Sequence, residues 1–538
     1  MARRFREVDL LAIVAAALCV GLGYLSRQAL SPDGVSYLDL AGAMQRGDWG
    51  HFVQGYWSPL LPLLTGGIGL IVDRGGPGLV PIGHVINTVA ALAAIAMLWH
   101  WVRSSQQPAP AASATPARAF IAAFLLCGAG LPRIEAVTPD IVLLFVITWL
   151  SYELIIHRSR RWLLVGVLLG LSFLTKTSAW PWLLAGIPLR MWAATGALAR
   201  RHVLLSTATC VAIMATWIVP MSLKYGRPTL GSSGALNYSW YISAHTSRLP
   251  DTDRGTNSAF QDVGVGNGRL LTVATFDDAG TWTYQPWGDP TAWATKILTE
   301  TGRDPTTSEI LLYWLRLTMR IFGLWLAPLI IGAILPWVFL QRRPGMMREL
   351  FTTQRDALVV TLLGVIGLLQ FAAVHAEPRL IAPFGLMLAL GTIHWCFATP
   401  ASVGRVTLPA PLRHGLAWLG ILAAIGFAVF RFGEALPSAE RLRGVTAQLD
   451  DMRRRLAMMN DGPIPIAVVG PVAPIMASAF WVNAHVAMQV APPYAALVAT
   501  LPKAAQDSML LALFRGKVPM IWRTSDDGGV EMLVVPPK

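Results

Sequence analysis

Long apolar runs alternate with short polar connections over the first 431 residues, and a run of about 20 apolar residues is what an α-helix needs to cross a bilayer. About eleven transmembrane helices are predicted, at 8–30, 79–102, 119–132, 137–156, 162–175, 178–192, 203–223, 311–340, 357–374, 380–398 and 415–431. Arginines mark every second connection: Arg3, Arg4 and Arg6, then Arg103 and Arg118, Arg158 with Arg160 and Arg161, Arg200 and Arg201, Arg342 and Arg343, and Arg405 and Arg413. By the positive-inside rule these connections and the N-terminus are cytoplasmic, and an odd count of spans puts the C-terminus outside the cell. The first run lacks a small-residue cleavage site and is long for a signal sequence, so it is predicted to be a retained span.

Three outward segments are long: 31–78, 224–310 and the tail from 432 to 538. The tail changes character. IAVVG at 466–470 and VAMQV at 486–490 read as strands, 498–515 as a helix, and DDGG between two β-rich runs as a hairpin turn. The predicted organisation is a mainly α membrane module over 1–431 and a small α/β extracytoplasmic domain over 432–538. An Arg- and Leu-rich amphipathic helix from Glu434 to Met459 connects them, and 104–117 reads as a Pro/Ala/Ser linker.

Composition agrees with a multi-pass protein of the cell (inner or plasma) membrane. Of 538 residues, 54% are hydrophobic and only 14% charged, with a mean hydropathy of +0.52. The net charge of +13 is dispersed in short clusters between apolar runs, which fits topology and membrane lipids and gives no nucleic-acid surface. Cys19, Cys127, Cys210 and Cys396 all fall inside apolar runs without metal-ligand spacing. Ionisable residues gather at the outer ends of the spans: Arg27, Arg133, Glu135, Asp140, Lys176, Arg316, Arg320 and Arg379. A midplane almost free of charge argues against a coupled lipid or polysaccharide transporter or flippase, which would carry polar residues or broken helices there. A non-catalytic scaffold displaying the outer tail is the other alternative.

The first outer segment begins 31-SPDGVSYLDLAGAMQRGDW-49. Tyr37, Leu40, Ala41 and Met44 recur at helical spacing and form one apolar face, predicted to lie on the membrane, with Asp39, Gln45, Arg46 and Asp48 mainly on the other. Asp33 at its start has two readings: a helix cap, or a general base held where a lipid headgroup meets a water-borne hydroxyl. The following 56-YWSPLLPLL-64, with Trp57, reads as an interfacial segment.

These residues, in this order, resemble the first outer loop of the GT-C glycosyltransferases, the superfamily of protein O-mannosyltransferases and lipid A aminoarabinose transferases. Next, 138-TPDIVLLFVITW-149 resembles the family's second outer aspartate at the head of a span, and 170-GLSFLTKTSAW-180 its Leu-Thr-Lys turn. In 375-HAEPRLIAPF-384, which resembles its Glu-x-Arg-Tyr segment, Leu380 stands in place of the tyrosine. NYSWY at 237–241 and TYQPWGDPTAW at 283–293 resemble outer-loop motifs of a bacterial branch of this group. The resemblance covers roughly residues 1 to 400. One departure is Gly34, where the family carries a glutamate after its aspartate.

The resemblance implies an inverting hexosyl- or pentosyltransferase that takes its sugar from a polyprenyl-phosphate-linked donor and passes it to a lipid, glycan or protein acceptor on the outer face. It implies Asp33 as base, with Asp140 as a second catalytic carboxylate. Lys176, Arg379, Arg316 and Arg320 would face the donor phosphate, with Tyr37 and Trp57 lining the substrate. Each also has a plainer reading: Asp140 as a first-turn residue after a proline, Lys176, Arg316 and Arg320 as snorkelling side chains, and Arg379 as a topology marker. His51, His375 and Glu377 leave room for a divalent cation but have no metal-ligand spacing, so no metal site is assigned. Trp282, Trp287 and Trp293 are readable as sugar platforms or as interfacial anchors.

Overall fold

The computed structural model describes residues 7–104, 134–241, 260–264, 270–276, 282–291, 306–329, 354–397, 426, 446–458 and 463–535, apart from 135, 159, 373, 374, 376, 471, 491–494, 496, 497 and 525–529 within those ranges. The predicted spans at 119–132 and 415–431 fall almost wholly outside the described residues, as do Arg133 and Glu135.

Where the apolar runs are described, they are helices: α1 (Glu7–Leu25), α5 (Leu79–Ser104), α6 (Asp140–Ile156), α7 (Trp162–Thr175), α8 (Trp180–Ala193), α9 (Ala197–Tyr225), α12 (Thr307–Leu329), α13 (Arg355–Ala372) and α14 (Pro378–Phe397). Of the described helices, 76–103 and 197–225 are long and apolar enough on their own to cross a membrane. Between α1 and α5 lie α2 (Pro32–Gln45), the short α3 (Trp49–Phe52) and α4 (Leu60–Ile71), and α10 (Ser233–Tyr241) follows α9.

Close helix contact is set by small residues, as in membrane bundles. A Cβ built on Gly364 of α13 would meet the Leu388 backbone of α14 at 2.5 Å, and one on Gly391 would meet the Thr361 backbone at 2.6 Å. α14 also packs along α6, and α6 along α5 and α7. This arrangement brings the N-terminal ends of α6 and α14 beside the start of α2.

The tail folds as an α/β layer, as expected, but it does not build its sheet alone. Strands β3 (Ile464–Val469), β4 (Ala484–Val490), β5 (Met520–Thr524) and β6 (Val530–Val534) alternate with helices α15 (Ala473–Trp481) and α16 (Lys503–Phe514). Two strands from the 224–310 loop, β1 (Phe260–Gly264) and β2 (Leu270–Thr275), extend it, giving the order β1-β2-β4-β3-β5-β6. β3 runs parallel to β4 and β5, and the other pairings are antiparallel. The short helix α11 (Gln285–Gly288) and α15 both rest against α2.

That packing changes the expected role of α2. Residues 34–41 and Ala43 are all buried, so both faces are covered. Ser36 and Asp39 on its polar edge bond to the 282–288 segment.

Candidate active site

At the Ser31-Pro32-Asp33 start of α2 the cap is a residue other than Asp33. Ser31 is the cap: its backbone is extended and its Oγ accepts the Gly34 N–H at 3.1 Å, with Pro32 supplying the fixed φ of the first helical position. Asp33 in the first turn leaves the helix backbone alone. Its Oδ2 accepts from Arg379 Nη2 at 2.5 Å, while Oδ1 has no hydrogen-bond partner among the described residues. The side chain is 18% exposed.

Arg379 reaches this point because Pro378 starts α14, placing the arginine in the first turn. Its Nε donates to Glu377 Oε2 at 2.7 Å, and Nη1 lies 4.0 Å from Asp140 Oδ2. Glu377 in turn meets His375 Nε2 at 3.1 Å through Oε1. The His375 bond, and then the Arg379 charge, hold the Glu377 carboxyl well below the usual carboxylate range against the opposing effect of burial.

Asp140 heads α6, where its charge complements the helix N-terminus. Both of its oxygens are engaged, one by Thr138 Oγ1 at 2.9 Å and the other by Lys176 Nζ, and its side chain is 1% exposed. Lys176 sits at the break between α7 and α8, in extended conformation, with Thr177 held behind it by Ser58 Oγ. Asp33, Asp140, Lys176 and Arg379, separated by up to 346 residues, therefore form one ion-paired cluster.

Tyr37, one turn beyond Asp33, is 6% exposed and flanks this cluster. Burial first, and then the negative charges of Asp140 and Asp33, push its phenol well above the usual range, so it stays a hydrogen-bond donor. Trp57 packs edge-on against Tyr37 at 5.0 Å and donates its Nε1 to the Trp287 carbonyl at 2.9 Å. Tyr56 and Trp287, both half-buried, complete an aromatic wall around it.

Other predicted residues go elsewhere. Arg316 is exposed on α12 with no bond to the cluster among the described residues, and the Arg320 side chain and Trp293 lie outside them. Trp282 is 2% exposed and has no face for a sugar. His51 pairs with Asp48 at 2.7 Å, apart from the His375 and Glu377 pair, and no group of three metal-ligating side chains occurs among the described residues. The sequence reading missed Thr138 as a partner of Asp140, and weighed Glu377 only for metal. Its place two residues before Arg379 is the signal that could have marked it as an ion-pair partner.

Two solved structures share this overall fold. ArnT from Cupriavidus metallidurans bound to undecaprenyl phosphate superposes with a TM-score of 0.51 at 13% identity, over 97% of this chain and 94% of that one. The same protein in the apo state also gives 0.51 at 13% identity, over 96% and 93%. No family model and no curated protein matches the sequence.

Proposed function

We propose that the chain is an inverting membrane glycosyltransferase of the cell inner membrane, which moves a hexose or pentose from a polyprenyl-phosphate donor to a lipid, glycan or protein acceptor on the outer face. The observation that carries this reading is the asymmetry of the two aspartates. Asp140 is closed on both oxygens, whereas among the described residues Asp33 is engaged through one oxygen only, by Arg379. Likeness to ArnT, whose solved complex contains undecaprenyl phosphate, supports a polyprenyl-phosphate partner. The convergence of four charged groups is what an enzyme needs and what a scaffold does not.

The residues divide the work as follows. Arg379 and Lys176 face the donor phosphate, where charge-assisted hydrogen bonds strengthen as negative charge builds on the leaving group. Asp33 Oδ1 accepts the acceptor hydroxyl proton while that oxygen attacks the anomeric carbon. The bond from this carbon to the phosphate oxygen breaks with its electron pair passing to the phosphate, so one displacement inverts the centre.

The ion pairs of the cluster give this scheme an order. The phosphate competes with Asp33 for the Arg379 guanidinium, and an aspartate relieved of that partner becomes the stronger base. Glu377 retains the Nε side, so the guanidinium keeps its orientation during the exchange. Asp140 holds Lys176 in place and takes no proton. A divalent cation is not required by these steps.

Comparing cell-envelope glycolipids, glycans and glycoproteins by mass spectrometry with and without the gene tests the function. Loss of one hexose or pentose increment from one acceptor class is expected. Identical envelopes under conditions where the protein is made would overturn it.

A further inference from the structure

Asp39 lies less than two turns beyond Asp33 on α2, on the edge that meets Thr283. Its side chain is 9% exposed, and both oxygens are used by one residue of the second outer loop: Thr283 N–H donates to Oδ2 and Thr283 Oγ1 to Oδ1, each at 2.9 Å. The Thr283 carbonyl accepts the Val486 N–H of β4 at 2.9 Å. A single residue therefore joins the active-site helix on one side to the C-terminal sheet on the other.

Neighbouring bonds run the same way. Tyr284 donates its hydroxyl to Gln489 of β4 at 2.9 Å, and the Phe276 N–H donates to the Ala487 carbonyl at 3.0 Å. On the other side, the Trp287 carbonyl accepts Ser36 Oγ of α2 at 3.1 Å and the Gly288 carbonyl accepts Gln54 Nε2 at 3.1 Å. Ser36 and Asp39 are three residues apart, so they line one helix edge while Asp33 and Tyr37 line the next.

We infer that Thr283 and Asp39 form a positioning relay through which the C-terminal domain sets the place of Asp33 in the reaction. This rests on the reading of Asp33 as base. A buried carboxylate is an expensive way to fasten a loop, and it is retained where both oxygens are bonded and a rotation of the helix would break both bonds. Because Asp33 is rigidly joined to the fastened edge, slack in the relay becomes misplacement of Oδ1, which positioning arguments rate at up to about 10²-fold in rate for about 1 Å. The donor site, held by α7, α8 and α14, is outside the relay.

The test uses full-length, detergent-solubilised, monodisperse protein assayed for transfer from a polyprenyl-phosphate sugar, with the hydrogen exchange of residues 33–45 measured in parallel. Asp39→Ala and Thr283→Val should each lower kcat by about 10-fold with donor KM within about 2-fold, since chemistry loses geometry and the phosphate contacts do not. Asp39→Asn, whose amide can accept the Thr283 N–H and donate to its Oγ1, should recover most of the rate. The double variant should fall no further than the worse single one, because the two side chains act as one unit. Both single variants should speed amide exchange in α2. Unchanged kcat per folded enzyme, or losses that multiply in the double variant, would overturn the relay. If wild-type protein transfers no sugar, the functional reading fails by itself, and unchanged exchange in α2 would then overturn the relay independently.

Discussion

Asp33→Asn is expected to leave a folded protein with about 10²- to 10⁴-fold lower turnover, the range for loss of a general base. The amide keeps the shape of the carboxylate and can still accept from Arg379, but it cannot take the acceptor proton. Because Ser31 caps α2, the substitution does not touch the helix start, and stability should change little. Asp33→Glu should also retain little activity, since one added methylene shifts the carboxylate by about 1 Å. Turnover and thermal stability measured on the same preparations check both parts. Near wild-type turnover in Asp33→Asn would remove Asp33 from the chemistry, and Asp140, with both oxygens occupied, is poorly placed to replace it.

Arg379→Gln is expected to lower kcat/KM for the donor by about 10²- to 10³-fold, the cost typical of losing one charge-stabilising donor at a reacting group. Two effects combine. The phosphate loses a guanidinium, and Asp33, Glu377 and the nearby Asp140 lose the cation they share. Arg379→Lys should recover only a small part, because an ammonium cannot bond Glu377 through one edge while presenting the other to substrate. Steady-state kinetics with varied donor check this, and an unchanged donor dependence would place the phosphate elsewhere.

Much of the frame was legible because burial in a bundle leaves a simple mark. The run at 162–175 is a helix over those same residues, and 178–192 differs from α8 by no more than two residues at either end. The DDGG turn expected from local chemistry lies outside the described residues, and β5 and β6 on either side of it pair antiparallel. The two strands of the 224–310 loop were not. FQDVG and LLTVAT are short, and what makes β2 part of a sheet is its pairing with β4 more than 200 residues later, which no local pattern encodes.

The site was legible in part for the same physical reason. Asp33, Asp140, Lys176 and Arg379 stood out because charge at the end of an apolar span is costly, so each needed an account. The plain alternatives for Asp33 were hard to separate, since both Ser31 and Asp33 are good capping residues and only the backbone shows which one caps. Asp39 looked like a water-facing residue of an amphipathic helix. The loop and domain that cover it come from 244 residues or more away in the chain, so its burial was invisible. Arg316 shared the snorkelling pattern of the site cations and is instead exposed on α12.

Transfer from a polyprenyl-phosphate sugar is the reaction proposed for Asp33, Lys176 and Arg379. Its most direct test incubates the purified protein with polyprenyl-phosphate hexose and pentose donors and a delipidated envelope extract, and follows the lipids by mass spectrometry. Wild-type protein should release free polyprenyl phosphate in step with sugar appearing on an acceptor, and Asp33→Asn should bind the same donor without releasing it. Release by the Asp33→Asn protein at the wild-type rate, or donor left intact by wild-type protein across both sugar classes, would contradict it.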